Sequence, residues 1–397
     1  MKDSRVTPPT AALRLTTELP TRIPFCVTHN DAATSSAIHV PDPGCQTTVP
    51  GYQPISKPRH GHLQWSQPPR TILIKKKPRD AATDAVLVDM VRWLRETYPT
   101  LNVVLEHDVA QDFVGVLPFV YVIPKGVVNE YSRVVDFAIT LGGDGTVLHL
   151  SALFPGPVPP VISFSMGTLG FLLPFDISNY RPALERVIEG RDVTLLPRMR
   201  LSCSVHEADG TRLPIPTSNT AAAGTAVDHH VMNEVLVHRG RFPHLTSIDC
   251  WVDGEFLTNA VADGLIIGSP TGSTAYSLSA GGPIVHPALD SLLLTPICPR
   301  SLSFRTTLLP AYSVIQLHIA AASRSIAEVS LDGREVMSLR VGQYLQVRAS
   351  PYPVPCVNRV GNSVDWARDI NGLLKFNQNF TNKQQLVQDV EGGRMDT

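Results

Sequence analysis

"ITLGGDGTVLHL", residues Ile139 to Leu150, passes from an apolar stretch through three glycines and one acid into a helix-like stretch. Gly142, Gly143 and Gly145 strip side chains from around Asp144, so the turn can take angles other residues resist and a ligand can approach its amides closely. A strand that enters such a turn and leaves as a helix points amide N–H groups outward, and these bind phosphate oxygens. Gly142, Gly143, Gly145 and Thr146 are therefore the candidate phosphate loop. The stretch fits neither GxGxxG nor GxxxxGK[ST], so the lysine and the Mg²⁺-binding hydroxyl of a P-loop are missing. Taken alone, GGDG reads equally well as a tight turn with a solvated aspartate.

Working outward, "VVDFAITL" feeds the turn and "PVISFSMG" follows as a further buried strand. Upstream, "TILI", the amphipathic "DAATDAVLVDMVRWLRETYP" and "NVVLE" parse as strand, helix, strand. Strands alternating with helices imply a parallel sheet that binds ligands beyond its carboxyl ends, where Asp144 falls. After a helix expected over 179–189, strand-like segments dominate, beginning with "VTLLPRMRLSCSVH" read as one run. Asp253-Gly254 and Asp332-Gly333, each between apolar flanks, signal tight hairpins, so the second part is mostly antiparallel sheet. The fold class is α/β followed by all-β.

The expected division is an α/β nucleotide-binding domain at 70–192 and an all-β domain at 193–347, with a disordered insertion at about 207–229. Residues 348–397 form a C-terminal segment whose helix, about 363–376, packs back before a flexible tail. Residues 1–69, proline-rich and without periodicity, read as a disordered tail. Its arginines and threonines, with only Asp3, Glu18 and Asp31 as acids before residue 40, suit either a targeting segment or an ordinary tail.

A net charge of −1 over 397 residues gives no sign of a nucleic-acid partner. The basic run Lys75–Lys77 with Arg79 reads as a solvated strand end or a weak anion contact. The cysteines at 26, 45, 203, 250, 298 and 356 form no CxxC pair and no metal-ligand cluster, so metal ligands are not identified. The longest apolar run, Phe113 to Ile123, contains a proline and is too short to cross a bilayer, so no membrane partner is expected.

Two more stretches carry chemistry. "VADGLIIGSPTGSTAYSLSAGGPIVHP", Val261 to Pro287, crowds small hydroxyls and glycines around a short helix expected at 273–280, capped by Ser273 and stopped by Gly281. "MNEV", Met232 to Val235, places Asn233 and Glu234 in an apolar strand, and alternation sends these neighbours to opposite faces. They read as a paired edge or as a ribose-binding carboxylate and its neighbour.

Together, GGDGT at 142–146, "SMGTLGFLLPF" at 165–175, "MNEV", "ADG" at 262–264 and "SPTGSTAYSLSAGG" at 269–282 resemble the ATP-dependent NAD kinases, in that family's order. With "LTPICPRSLSFR" at 294–305 and "DWARDINGLLKFN", the chain is similar to the fungal mitochondrial NADH kinase branch. The resemblance implies a Rossmann-like α/β domain and a sandwich-like β domain with the active site between them. It also implies transfer of the γ-phosphoryl group of ATP to the adenosine-ribose 2′-hydroxyl of NAD(H), with Mg²⁺ or another divalent cation. Asp144 would then be the base, and Gly145 and Phe171 would lie against the dinucleotide. Asn233 and Glu234 would hold ribose hydroxyls, and Asp263 would contact the nicotinamide half. Thr274, Ala275, Tyr276 and Ser279 would line the adenine and ribose pocket, with Cys298 near the ligand. The branch leans to NADH and the mitochondrial matrix, with a cytoplasmic location as the alternative, and the family implies a homo-oligomer.

Two other classes fit GGDG. A lipid kinase would hold ATP the same way but needs a membrane-reaching surface, of which the sequence offers no clear example. A non-catalytic NAD(H)-binding sensor would have no need for Asp144.

Overall fold

The computed structural model describes residues 14–16, 19–23, 25–28, 61–127, 129–167, 170–191, 193–216, 228–324, 326–359 and 362–375. Its larger sheet runs, in spatial order, Arg14–Leu15, Tyr121–Ile123, Asn102–Glu106, Thr71–Lys76, Phe137–Gly142, Val161–Ser165, Val354–Asn358, Thr194–Arg198, Gly61–Trp65 and Phe25–Thr28. The first seven are parallel and the last three are added antiparallel. Strand order reverses beside Thr71–Lys76, which opens the crevice where such sheets bind ligands. Phe137–Gly142, wholly buried as befits a strand covered on both faces, delivers GGDG to that crevice.

The second body is a sandwich of antiparallel sheets. One is ordered Arg212–Leu213, Leu201–His206, Tyr344–Ala349, Ile315–Ile319, Thr246–Val252, Glu255–Ala262, with His229–Val231 also on Leu201–His206. The other is ordered Thr307–Pro310, Ser291–Ile297, Gly264–Gly268, Glu234–His238, Ala327–Leu331, Arg334–Leu339. Alternate residues of both, such as Leu201, Val235, Ile248, Ile267 and Leu317, interdigitate in one core. Both Asp-Gly pairs form the expected hairpins, with φ of 53° and 86° at Asp253 and Gly254 and of 47° and 74° at Asp332 and Gly333.

Several expectations need correction. "VTLLPRMRLSCSVH" is two strands: Thr194–Arg198 stays in the α/β sheet, and the chain crosses at Met199-Arg200 into Leu201–His206. Val354–Asn358 likewise returns to the α/β sheet, so the boundaries lie near 199–200 and 350–353 rather than at 192 and 347. Within the tail read as disordered, Arg14–Leu15, Phe25–Thr28 and Gly61–Trp65 are strands. Asp136 fastens this region, accepting the amides of Ile23, Arg70 and Thr71 at 2.6, 2.7 and 2.8 Å. Long-range pairing to a preformed sheet leaves no local periodicity to read. The expected insertion begins as a tight hairpin, with His206 paired to Arg212, and resumes at His229–Val231; residues 217–227 lie outside the described residues, as does the tail from 376.

The basic run is a paired strand end: Lys75 bridges Glu106, Lys76 bridges Asp84 at 2.6 Å, and Lys77 bridges Asp80 at 2.9 Å. The C-terminal helix runs Asn362–Leu374 and buries Ile370. Among the described residues, no helix is long and apolar enough to cross a membrane.

Candidate active site

Asp144 opens the helix Asp144–Ser151, with Gly143 in extended backbone ahead of it. Gly142 sits at φ +151°, and a Cβ there would overlap Thr146 Oγ1 and lie 3.0 Å from Lys77 Cβ; only glycine fits. Gly143 and Gly145 face open space, which is the vacant approach a ligand needs. Thr146 is buried and braces the turn from beneath.

The half-buried Asp144 carboxylate is held from across the site. The amides of Phe171 and Leu172 donate to it at 3.1 and 3.0 Å. Gly170 lies against the same carboxylate, and a Cβ at 170 would overlap Asp144 Oδ1. The "GTLGF" block therefore fixes the aspartate through its backbone, while each carboxylate oxygen keeps lone-pair capacity for a further donor.

Asn233 and Glu234 stand at the start of the strand Glu234–His238. Asp332, in the hairpin turn beyond Ala327–Leu331, accepts the amides of Met232, Asn233 and Glu234 at 2.9, 2.8 and 3.2 Å. Ser269 clasps the same turn: its amide donates to Asn233 O at 2.9 Å and its hydroxyl to Met232 O. Gly272 packs so closely on the Asn233 carbonyl that any side chain there would overlap it. The Glu234 side chain is buried, and its Oε2 has no hydrogen-bond partner among the described residues. Burial first, and then the charge of Asp332, push the Glu234 carboxyl up to about 7. A buried carboxyl with an unused oxygen suits a ligand hydroxyl better than a paired strand edge.

Arg198 joins the two blocks, donating to Phe171 O at 3.2 Å and to Thr271 Oγ1 at 3.4 Å. Beneath them, Val147, Leu150, Leu172, Leu173 and Met232 share one apolar cluster. The GGDG elbow, the 170–172 block, the 269–274 loop and the Asn233-Glu234 turn are thus joined in one chain of contacts. The C-terminal helix closes a crevice beside it, lined by Phe171, Leu172, Arg198, His286, Trp366 and Ile370, with the Trp366 and His286 rings 4.6 Å apart.

The helix expected at 273–280 is broken. Thr271–Thr274 is a 3₁₀ turn and Tyr276–Ser279 a single helical turn, parted at Ala275 with φ −98° and ψ −131°. Ser273 is not a cap; its hydroxyl donates to Pro270 O at 2.7 Å and accepts the amide of Val285 at 2.9 Å. Thr274 and Ala275 are half-buried, while Tyr276 and Ser279 are exposed.

Asp263 and Cys298 do not join this cluster. They lie at the far end of the strand Gly264–Gly268 from Ser269, a span of about 20 Å for the steps from Asp263 to Ser269. Asp263 pairs with Arg239 at 2.7 Å and its amide donates to Ile297 O at 3.0 Å, beside the exposed Cys298. Three residues at or beside the site carry no signature of a role in the sequence: Arg198, Arg200 and Asp332. Of these only Asp332-Gly333 gave a signal, and that signal spoke of a turn.

Two family models match the chain: ATP-NAD kinase N-terminal domain over residues 72–192 and ATP-NAD kinase C-terminal domain over residues 232–359. The chain belongs to the ATP-NAD kinase family. As a member it is an NAD(H) kinase. It is 39% identical over 344 residues to the mitochondrial NADH kinase pos5 of Schizosaccharomyces pombe, covering 84% of each chain. Against the mitochondrial NADH kinase POS5 of Saccharomyces cerevisiae, identity is 37% over 360 residues, covering 80% of this chain and 83% of that protein. The crystal structure of yeast NADH kinase complexed with NADH matches with a TM-score of 0.71 at 36% identity, covering 84% of this chain and 96% of that one. An NAD kinase from Archaeoglobus fulgidus in complex with ATP has a TM-score of 0.55 at 22% identity over 77% of this chain and 98% of that one, and shares the fold. Neither the lipid-kinase nor the sensor reading finds support among these ATP-NAD kinase relatives.

Proposed function

We propose that this NAD(H) kinase moves the γ-phosphoryl group of ATP to the 2′-hydroxyl of the adenosine ribose, with NADH as the preferred acceptor. The observation that carries the reading is the Asp144 carboxylate, clamped by the Phe171 and Leu172 amides at the mouth of a turn whose Gly143 and Gly145 leave the approach clear. A ribose hydroxyl is a weak nucleophile, and a fixed carboxylate that accepts its proton as phosphorus is attacked makes it a better one. Phosphoryl transfer otherwise depends on alignment and on offsetting charge. The open elbow amides suit the polyphosphate, and the Glu234 oxygen that has no partner among the described residues, beside Asn233, suits the sugar hydroxyls.

No set of three or more His, Cys, Asp or Glu side chains converges at metal-binding distance among the described residues. On this reading the divalent cation is part of the nucleotide substrate, carried in on the triphosphate. The NADH preference rests on the names of the similar fungal enzymes and on the NADH-bound relative. A mitochondrial location rests on the same fungal names.

The test is an initial-rate assay with ATP and Mg²⁺, offering NADH and NAD⁺ at matched concentration and lipid vesicles as a control. NADPH forming faster than NADP⁺ supports the reading. Equal rates would remove the preference, and label transferred only to lipid would overturn the substrate class.

A further inference from the structure

Among the described residues Arg200 is the largest side chain with essentially no exposure, and it sits where the chain first crosses from the α/β sheet to the β domain. Its guanidinium donates to four backbone carbonyls: Ser151 at 3.3 Å, Phe154 at 2.9 Å, Gly156 at 2.6 Å and Tyr352 at 2.6 Å. Ser151 ends the helix that Asp144 begins, and Phe154 and Gly156 follow directly. Tyr352 lies on the second crossing, where the amide of Ser350 also donates to Arg200 O at 2.8 Å. One side chain therefore holds both crossings and the far end of the elbow helix.

A buried guanidinium bonded only to neutral carbonyls is expensive, and an apolar residue of similar volume would close such a junction at lower cost. What an apolar residue lacks is direction. The guanidinium is a planar fork of N–H donors in fixed geometry, so it sets the angles between the segments it grips. Leu201, next to Arg200, pairs with Val231, and the amide of the following Met232 donates to Asp332 at 2.9 Å, so the two residues meet through one strand pair. Asp332 in turn holds the amides of Met232, Asn233 and Glu234. The elbow helix is stiff and spans about 10 Å from Asp144 to Ser151, so a tilt at its end is felt at the carboxylate.

We propose that Arg200 and Asp332 act as one positioning pair, setting the Asp144 carboxylate against the Asn233-Glu234 turn so that sugar hydroxyl and base meet in a single geometry. Neither residue touches substrate. The pair rests on the reading that Asp144 serves a hydroxyl held by that turn.

The experiment compares the full-length chain with Arg200→Lys, Asp332→Asn and the double variant, each assayed well below its melting temperature. Arg200→Lys keeps charge but loses the fork, and is expected to lower kcat roughly 10- to 100-fold with the KM for ATP near that of the parent. Asp332→Asn is expected to lower kcat similarly and to raise the KM for the dinucleotide. Because residues acting as a unit are not additive, the double variant should lose about as much as the worse single one. Single variants that melt earlier but keep kcat within about twofold would show a merely structural role and overturn the pairing, as would losses that multiply. If Arg200→Lys does not fold, Asp332→Asn decides alone: an unchanged kcat overturns the pair, a loss supports it. A parent enzyme that fails to phosphorylate NAD(H) would instead sink the function reading, which separates the two failures.

Discussion

Asp144 and Glu234, the two carboxylates at the heart of the site, stand in opposite surroundings. Asp144 is half-buried beside open glycines, and two amides from another segment hold it ready. Glu234 is buried, has an oxygen with no partner among the described residues, and is pushed to about 7 by burial and by Asp332. A glycine packs against each: Gly170 against the Asp144 carboxylate, Gly272 against the Asn233 carbonyl beside Glu234. The contrast teaches that one carboxylate is held by two amides of a neighbouring segment, while the other is set by burial, with one oxygen unmatched among the described residues.

That contrast can be broken at its strongest point first. Asp144→Asn keeps the size of the side chain but removes the proton acceptor, so turnover should fall roughly 10²- to 10⁴-fold while NADH binding by equilibrium dialysis stays close to the parent. Near-parental turnover would remove Asp144 from the role of base. Next, Gly170→Ala drives a methyl group into Asp144 Oδ1 and should cost on the order of 10²-fold in kcat by displacing the carboxylate. A crystal structure of that variant with Asp144 unmoved would contradict the close approach.

On the other side of the comparison, Gly272→Ala forces a methyl group onto the Asn233 carbonyl. It should destabilise the protein by about 1–3 kcal/mol, read as a lower denaturant midpoint, and weaken dinucleotide binding. The smallest effect concerns pH. A Glu234 carboxyl at about 7 in the folded protein, against an ordinary value of 4.5, is protonated more readily folded than unfolded. Its contribution to stability is therefore complete below about 4.5 and is lost as pH rises through about 7, with a slope of at most about 1.4 kcal/mol per pH unit. Denaturation of the ligand-free protein at pH 5 and pH 8 should show this decline in the parent and a smaller one in Glu234→Gln. Identical declines would assign the effect to other carboxyls raised by desolvation, such as those of Asp332 and Asp136.

Local chemistry was legible wherever it depends on near neighbours in the chain. The three glycines around Asp144 announced an elbow, Asp-Gly pairs announced both hairpins, and alternating apolar runs announced a parallel sheet followed by antiparallel ones. The 273–280 helix was misread because small polar residues can cap a helix or fold a loop equally well, and Gly272 pressed on Asn233 decides for the loop.

By itself, then, the order of residues determined the fold class, the elbow and the two hairpins, because backbone freedom, hydrophobic period and turn chemistry act over a few residues. Only the tertiary structure decided that Phe171 and Leu172 hold Asp144, that Arg198 ties their loop to Thr271, and that Asp263 lies far from Ser269. It also decided that Arg200, unmarked in the sequence, and Asp332, marked there only as a turn, occupy the seam between the domains. These contacts join residues 27 to 152 positions apart, and a bond across such a distance leaves no periodic trace because either partner is specified only once the other is in place.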